Sequence, residues 1–358
     1  MSASLRVSDF DFDLPQELVA QEPPPTRGTS RLMRLGRESG AIAHGVFSDL
    51  PSLLAPGDLL VLNDTRVFPA RLLGRRSPGG GAVECLLASR IDDGPGDPAR
   101  ETWVALVSPG SRVKVGTRMV FEGAGGPLHG EVLERGAQGR IVRLATDDGT
   151  PVRDAVHRLG HIPLPPYITR ADVPADRERY QTVYGQREGS IAAPTAGLHF
   201  TPELLAAIDQ AGVERTSITL HVGYGTFQPV RVDLVSDHRM AREEYEVGPA
   251  AATALTRALA AGRRIVAVGT TTTRTLESLD IGPRGEVWPR RGATEIFIAP
   301  GHTFRVVGGL VTNFHVPRSS LLMLVSAFAG IESVRHAYQE AVAARYRFYS
   351  YGDAMVIL

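Results

Sequence analysis

The sequence predicts an α/β protein, with a layered α/β domain preceded along the chain by a small antiparallel β domain, either a barrel or a sandwich. Between about residues 70 and 150, short apolar runs alternate with loops rich in glycine, proline and aspartate, which is typical of closely spaced antiparallel strands. After residue 166, stretches with helical periodicity alternate with apolar strand-like runs, which is typical of a layered α/β domain. A chain of 358 residues is long enough for two domains, or for one large domain with an insertion.

Short apolar runs predict the strands of the first half. Residues 59–62, Leu-Leu-Val-Leu, indicate a buried strand among short strands and turns. The antiparallel domain is predicted from runs at 83–88, 102–107, 118–121, 130–133 and 140–144. Cys85 lies in the first of these runs and is expected to be a buried strand residue. Residues 111–116 alternate in polarity and predict one more strand before a turn.

Alternating patterns predict the elements of the second half. The predicted helices are 202–211, 250–261, one beginning near 273, 319–328 and 331–344. The predicted strands are 216–222, 264–268, 296–298 and 311–314. Gly212 and Gly262 mark the ends of the first two helices, because glycine readily adopts the left-handed conformation that closes a helix.

Composition limits the compartment and the partners. The 43% hydrophobic content supports sizeable cores, and the absence of a long apolar run predicts no membrane span. The N-terminal stretch is polar and acidic, unlike a secretory signal. Cys85 is the only cysteine, which excludes an internal disulfide, so we expect a cytoplasmic protein. The formal net charge of zero argues against a general coating by polyanions, but it is compatible with a local nucleic-acid surface.

Residues 193–205, Ala-Pro-Thr-Ala-Gly-Leu-His-Phe-Thr-Pro-Glu-Leu-Leu, place a histidine just before a predicted helix. Thr201 suits the N-cap position and Pro202 suits the first helical position. His199 can therefore face a ligand, with a protonation state tuned by the helix terminus. The alternative is a capped surface helix with a hydrogen-bonded histidine.

A threonine-rich loop, residues 269–274, lies between a predicted strand and a predicted helix. Its hydroxyls and backbone N–H groups favour an anion site formed by Thr270, Thr271, Thr272, Thr273 and Arg274. The chain has neither a Walker motif nor Gly-x-Gly-x-x-Gly, so a dinucleotide is not indicated. The alternative is a threonine-rich helix cap that binds nothing.

Two polar positions follow predicted strands, at the edge where open α/β sheets place ligands. Asp64 can orient a hydroxyl or accept a proton and Arg66 can hold a carboxylate, although an Asx-turn with an internal Asp–Arg pair is the alternative. His221 precedes a glycine-rich segment and can approach a ligand closely, or it can simply bond to backbone. Tyr224 or Phe227 could face a cationic ligand, with core packing as the alternative.

Two later segments supply further candidates. Asn313 and His315 lie at a predicted strand end and can reach the same cleft or act as a structural cap. In the tail, Tyr346, Arg347 and Phe348 alternate aromatic and polar groups, which could stack on an RNA base or form a strand that completes a sheet. Arg71, near the start of the antiparallel region, can contact RNA phosphates or belong to a solvated charge run.

Together these segments resemble, in the same order, the signatures of the S-adenosylmethionine:tRNA ribosyltransferase-isomerase family. The segments that carry the resemblance are 60–71, 160–168, 193–205, 221–223, 269–274, 311–317 and 346–355. The resemblance covers nearly the whole chain and implies an α/β main domain with an inserted β-barrel domain. We accordingly expect main-domain parts at 1–68 and 155–358 and a barrel at 69–154.

The resemblance also implies an activity. The ribosyl part of S-adenosylmethionine would be transferred to 7-aminomethyl-7-deazaguanine at the tRNA wobble position, giving epoxyqueuosine with release of adenine and methionine. S-adenosylmethionine would be a consumed substrate, and no cofactor or metal is expected. Our hypothesis gives His199 or His221 the base and adenine-protonating roles, with Asp64 orienting one of them or the ribose hydroxyls. Arg274 and the threonines would bind a carboxylate or an anticodon phosphate.

Two positions depart from the family pattern. Ala241 stands where a second histidine is expected, and Gly308 stands where an acidic residue is expected. A catalytically degenerate tRNA-binding paralogue therefore remains an alternative, as does an S-adenosylmethionine-dependent RNA methyltransferase. We expect a monomer whose partners are modified tRNA and S-adenosylmethionine, with no membrane.

Overall fold

The computed structural model describes residues 5–91, 96–137, 139–223, 225 and 230–358. Within these ranges, nine strands form one mixed sheet in the order β15-β13-β12-β3-β14-β16-β17-β1-β2. Their bounds, in that order, are Arg290–Thr294, Glu243–Val247, Glu214–Leu220, Leu59–Asn63, Ile265–Val268, Gly309–Asn313, Ala354–Ile357, Arg31–Leu35 and Ile42–Val46. The four central strands β12, β3, β14 and β16 run parallel to one another, so their carboxyl ends share one edge of the sheet.

Helices cover both faces of this sheet. The helices of the described chain are α1 Leu50–Leu53, α2 Val152–Leu159, α3 Asp176–Arg179, α4 Pro202–Gln210, α5 Pro249–Ala260, α6 Thr270–Glu277, α7 Ser320–Ala329 and α8 Ile331–Ala343. Side chains of β3 alternate between the two cores. Leu59 and Val61 pack with α5 to α8, whereas Leu60 and Leu62 pack with α1 and α4. This three-layer arrangement confirms the predicted α/β class.

The antiparallel domain is a closed barrel. Six strands of the described chain close it in the order β10-β7-β6-β5-β8-β9, so the barrel alternative is confirmed over the sandwich. Their bounds, in that order, are Arg140–Ala145, Arg100–Ser108, Ala82–Ile91, Arg71–Ser77, Arg118–Phe121 and Leu128–Arg135. The barrel has its own apolar core, in which Cys85 is fully buried as predicted. Burial raises the pKa of its thiol to about 12. The domain boundaries at 69 and 154 stay predictions.

Local expectations differ from the structure at several places. Residues 71–77 form barrel strand β5, so Arg71 lies on a strand rather than in a flanking charge run. Residues 111–116 form no strand, and a single 3₁₀ turn, Gly110–Arg112, is found there instead. No strand forms at 296–298, because the edge strand that pairs with β13 lies earlier, at β15. The threonine-rich loop is the first turn of α6, which begins at Thr270 instead of near residue 273.

Candidate active site

A cavity of about 590 Å³ opens where the central parallel strands end. Segments that follow β12, β14 and β16 contribute to its wall, together with residues 192–196 and the tail residues 349 and 350. This is the carboxyl edge of the sheet, where open α/β proteins bind ligands. The volume lies in the range of roughly 300–1,000 Å³ that is usual for small-molecule sites.

The first turn of α6 faces this cavity. Gly269 precedes the helix with φ +91°, a left-handed conformation that favours glycine. Thr270 and Thr271 line the cavity. The Thr273 N–H already bonds the Gly269 carbonyl, so the preceding N–H groups of the first turn have no helical acceptor. This helix end can therefore hold an anionic group of a ligand.

The other residues of the predicted anion site, Thr272, Thr273 and Arg274, bond to groups within the protein. Thr272 Oγ1 bonds the Val268 carbonyl at 2.7 Å, and Thr273 Oγ1 bonds the Gly269 carbonyl at 3.1 Å. Arg274 is 3% exposed, forms a buried ion pair with Glu243, and does not line the cavity. The prediction that Arg274 holds a substrate carboxylate is therefore not carried forward, because its charge is already neutralised by Glu243.

His199 and Asn313 form a buried hydrogen-bonded pair behind the cavity wall. Asn313 Nδ2 lies 3.1 Å from His199 Nε2 and 3.1 Å from the Tyr349 carbonyl oxygen. His199 Nδ1 lies 2.8 Å from Ser30 Oγ. Burial lowers the pKa of His199 to about 3, so the ring is neutral. Asn313 lines the cavity while His199 does not, so the structure brings His199 to the site only through Asn313.

His315 is the imidazole that lines the cavity directly. Its Nε2 lies 2.7 Å from Thr312 Oγ1, and its backbone N–H donates to the Tyr338 hydroxyl at 2.9 Å. Burial lowers the pKa of His315 to about 3, so it also stays neutral. A neutral imidazole in this position can donate or accept a hydrogen bond but is a weak base.

Asp64 and His221 follow the carboxyl ends of β3 and β12, and neither residue lines the cavity. The Thr219 hydroxyl donates to Asp64 Oδ1 at 2.6 Å, and Thr65 Oγ1 lies 2.8 Å from His221 Nδ1. Burial raises the pKa of Asp64 and lowers that of His221, while the attraction between the two charged forms opposes both shifts. Val222, the next residue after His221, lines the cavity, so the pair shares the carboxyl edge of the sheet with the cavity wall.

Backbone strain and aromatic rings mark the far wall. Among the described non-glycine residues, positive φ occurs at Arg318, Arg345 and Tyr349, and the first and last of these line the cavity. Tyr167 packs against Tyr349 with ring centroids 4.6 Å apart, and its hydroxyl lies 2.5 Å from Ser350 Oγ. Strained residues of this kind concentrate at functional sites.

The residues predicted to contact RNA are either buried or bonded to other residues of the chain. Tyr346 and Phe348 are fully buried, and Arg31 covers the Tyr346 ring at 3.7 Å. Neither ring is open to an RNA base, so the stacking prediction is not carried forward. Arg347 bonds the Glu22 carbonyl, and Arg71 forms an ion pair with Glu84 at 2.8 Å.

Among the remaining candidates, Arg66 does not line the cavity. Arg66 is exposed, and Tyr224 and Phe227 lie outside the described residues. Sequence reasoning missed Tyr180, a fully buried residue in the wall of the cavity. No local pattern marks such a residue, because its importance depends on which side chains surround it.

Comparison with known proteins shows the family to which this chain belongs. A family model described as "Queuosine biosynthesis protein" matches residues 7–357. The chain belongs to that family. The S-adenosylmethionine:tRNA ribosyltransferase-isomerase of Anaeromyxobacter sp. strain Fw109-5 is 53% identical over 353 residues and covers 99% of both chains. The protein of the same name from Desulfitobacterium hafniense is 49% identical over 355 residues, with 99% of this chain and 100% of the relative covered.

A solved structure is also similar to this chain in sequence and fold. The crystal structure of S-adenosylmethionine tRNA ribosyltransferase from Thermotoga maritima is 40% identical, with a TM-score of 0.54, and the match covers 98% of this chain and 100% of that one. The family resemblance predicted from the sequence is confirmed. These comparisons favour a ribosyltransferase-isomerase of queuosine biosynthesis over the methyltransferase and the non-catalytic alternatives. No helix within the described ranges is long and apolar enough to cross a membrane.

Proposed function

We propose that the chain transfers and isomerises the ribosyl group of S-adenosylmethionine onto 7-aminomethyl-7-deazaguanine at the tRNA wobble position. Adenine and methionine are released and epoxyqueuosine-tRNA is formed, in the cytoplasm, by a monomer that needs no cofactor. The observation that carries this proposal is the convergence of six of the family segments on one cavity. It is lined by residues 166–167, 193–196, 222, 269–271, 312–317 and 349–350.

The cavity has groups suited to both ends of S-adenosylmethionine, the methionine carboxylate and the adenine base. The methionine carboxylate suits the first turn of α6 at Thr270 and Thr271, where free N–H groups and the helix dipole favour an anion. The adjacent wall of the cavity is mainly apolar and aromatic, which suits the planar base. Asn313 and His315 supply polar groups on this wall.

Removal of a proton next to the sulfonium needs a base that is unprotonated near neutral pH. We assign this role to His221, because burial keeps its imidazole neutral and Thr65 holds one ring nitrogen, leaving the other to accept a proton. Asp64 would stabilise the imidazolium that forms, since the two groups influence each other electrostatically. His199, with both ring nitrogens engaged, is reassigned as the residue that positions Asn313.

The tRNA nucleobase must leave its stack to reach this edge, as in other enzymes that modify bases. Arg66 is exposed and is suited to a phosphate contact as the base enters. The decisive experiment incubates the protein with S-adenosylmethionine and wobble-modified tRNA and follows free adenine and the mass of the modified nucleoside. Methyl-labelled S-adenosylmethionine should return its label in methionine. Label in the RNA would instead establish a methyltransferase.

A further inference from the structure

The barrel meets the main domain at the start of β5. The Arg71 N–H donates to the His161 carbonyl at 3.2 Å, and the His161 N–H donates to the Arg71 carbonyl at 2.8 Å. From there β5 continues to Ser77, which is about 20 Å farther at roughly 3.3 Å per residue. The barrel therefore has a second end, beside Ser77, that points away from this junction.

Three segments of the chain meet at this second end. Strand pairing places Ser77 opposite Arg118 and Arg135 opposite Arg140. Arg76 Nη1 donates to the Arg112 carbonyl at 3.3 Å, and the Arg140 side chain donates to the carbonyl of residue 110 at 3.3 Å. The segments 75–82, 109–118 and 135–140 therefore form one surface, which we call the distal end of the barrel.

The distal end carries seven cationic side chains and no carboxylate. Glu84 and Glu131, on the adjoining strands, already form ion pairs with Arg71 and Arg143, and only Glu134 adjoins the third segment directly. No ion pair with a carboxylate is found for any of the seven within the described part of the chain. They are Arg75, Arg76, Arg112, Lys114, Arg118, Arg135 and Arg140.

This concentration of positive charge is local. The formal net charge of the whole chain is zero, so the remainder of the molecule carries an equal excess of negative charge. A polyanion is therefore attracted to the distal end and repelled by much of the remaining surface. Six of the seven cations are arginines, whose planar guanidinium groups match the geometry of phosphate oxygens.

We propose that the distal end of the barrel binds the phosphate backbone of the tRNA, at nucleotides other than the one that enters the cavity. The inference rests on the proposed function, because that function supplies tRNA as the partner. Phosphate contacts position a nucleic acid without reading its sequence. The distal end thus holds and orients the tRNA, while the choice of base belongs to the cavity.

The origin of the barrel allows both contacts at once. β3 ends at the carboxyl edge of the large sheet, where the cavity opens, and the chain then passes through Thr65–Val67 into β5. His161, which bonds the start of β5, is followed closely by Pro166 and Tyr167 in the cavity wall. The barrel therefore extends from the same edge as the cavity, alongside an RNA that has one base inserted there.

A triple variant, Arg75→Gln with Arg112→Gln and Lys114→Gln, tests the proposal. These three side chains are exposed, and they make no hydrogen bond within the described residues, so the fold and the melting temperature should be preserved. Filter binding of tRNA at about 0.1 M salt should show an affinity reduced about ten-fold or more. The slope of the logarithm of affinity against the logarithm of salt concentration should become less steep by about 3. Binding of S-adenosylmethionine, measured by calorimetry, should not change.

The matched control removes the same charge from other exposed positions. Arg90→Gln with Arg257→Gln and Arg335→Gln changes the net charge equally, but each of these arginines is already paired with a carboxylate. The control should bind tRNA nearly as tightly as the wild type and keep its salt slope. An equal loss in both triple variants would mean that net charge alone acts, and the inference would be wrong.

Two further comparisons make the outcome decisive. The distal-end variant should lose affinity equally for tRNA with and without the modified wobble base, because phosphates are common to both. Wild-type affinity and salt slope in this variant would overturn the inference, and so would a loss confined to modified tRNA. Adenine release by the wild type tests the proposed function separately. If no adenine forms but the variant still loses tRNA affinity, the proposed function is wrong and the RNA-binding surface stands.

Discussion

At the scale of single residues, burial decides what each histidine can do. His199 and His315 are both buried and neutral, whereas His221 is half-buried and lies beside a carboxylate. The same side-chain type therefore serves as a support for Asn313, as a polar group of the cavity wall and as the proposed base. Position in the sequence did not distinguish these roles.

Substitution of His199 tests its role behind Asn313. We expect His199→Ala to slow adenine release about ten-fold while leaving tRNA binding nearly intact, because Asn313 loses the acceptor that fixes its amide. Rapid single-turnover assays of adenine, with tRNA binding measured by filter retention, would check this. Ser30→Ala is the control, since it removes only the partner of the distal ring nitrogen and should have a smaller effect. Unchanged turnover in His199→Ala would remove the assignment.

The two neutral histidines also make stability depend on pH. The pKa values of His199 and His315 are lowered from 6.5 to about 3, so below pH 6.5 the unfolded chain binds protons that the folded chain does not. The free energy of unfolding should therefore fall as the pH drops through this window. Each group contributes up to about 1.4 kcal/mol per pH unit.

Urea unfolding at about pH 7 and about pH 5 would measure this dependence. His315→Gln should reduce the slope, because glutamine has no proton to gain in the unfolded chain. A free energy of unfolding that does not change between these pH values would contradict the burial of both rings in neutral form.

At the scale of elements, α6 divides its threonines between fold and ligand. Thr272 and Thr273 bond carbonyls of the preceding turn, while Thr270 and Thr271 face the cavity. Threonine side chains of this helix therefore either stabilise the fold or face the cavity. The position of each threonine around the helix determines which of the two it does.

Substitution by valine, which removes the hydroxyl and keeps the shape, separates these purposes. Thr270→Val with Thr271→Val should raise KM for S-adenosylmethionine several-fold, by about 1 kcal/mol of binding energy. The double variant should also discriminate less than the wild type against decarboxylated S-adenosylmethionine. Steady-state kinetics with both substrates would measure this. Thr273→Val is the control, and it should lower stability without changing the preference. Equal discrimination in the double variant and the wild type would show that the two hydroxyls do not contact the carboxylate.

At the scale of the whole molecule, the barrel and the main domain have separate apolar cores. The candidate site lies entirely on main-domain segments, along one edge of the large sheet. Damage to the barrel core should therefore spare the binding of the small substrate.

Phe121→Ala tests this separation. Phe121 is 1% exposed in the barrel core, and its truncation should cost about 3–5 kcal/mol locally. Hydrogen exchange measured by mass spectrometry should show faster exchange in barrel peptides, with the dissociation constant for S-adenosylmethionine unchanged. Phe328→Ala, in the main-domain core, should show the opposite distribution. Uniformly faster exchange in both domains of Phe121→Ala would mean that the cores unfold as one.

Local sequence determined many of the elements. The apolar run at residues 59–62 and the runs at 118–121 and 140–144 coincide with strands, because side-chain polarity and branching act over a few residues. Thr201 caps α4 as predicted, with its hydroxyl accepting from the Leu204 N–H at 3.1 Å. The succession of these elements, with the family segments, sufficed for the α/β class and the family.

Tertiary structure alone decided which groups are free to act. The burial of Tyr346 and Phe348, the pairing of Arg274 with Glu243 and the unpaired oxygen of Asn313 all depend on partners distant in the chain. Hydrogen bonding and desolvation are set by whatever atoms meet in space, and no local pattern encodes that meeting. The sequence thus identified the segments that form the site, while the tertiary structure determined which of their atoms are buried, paired or open to a ligand.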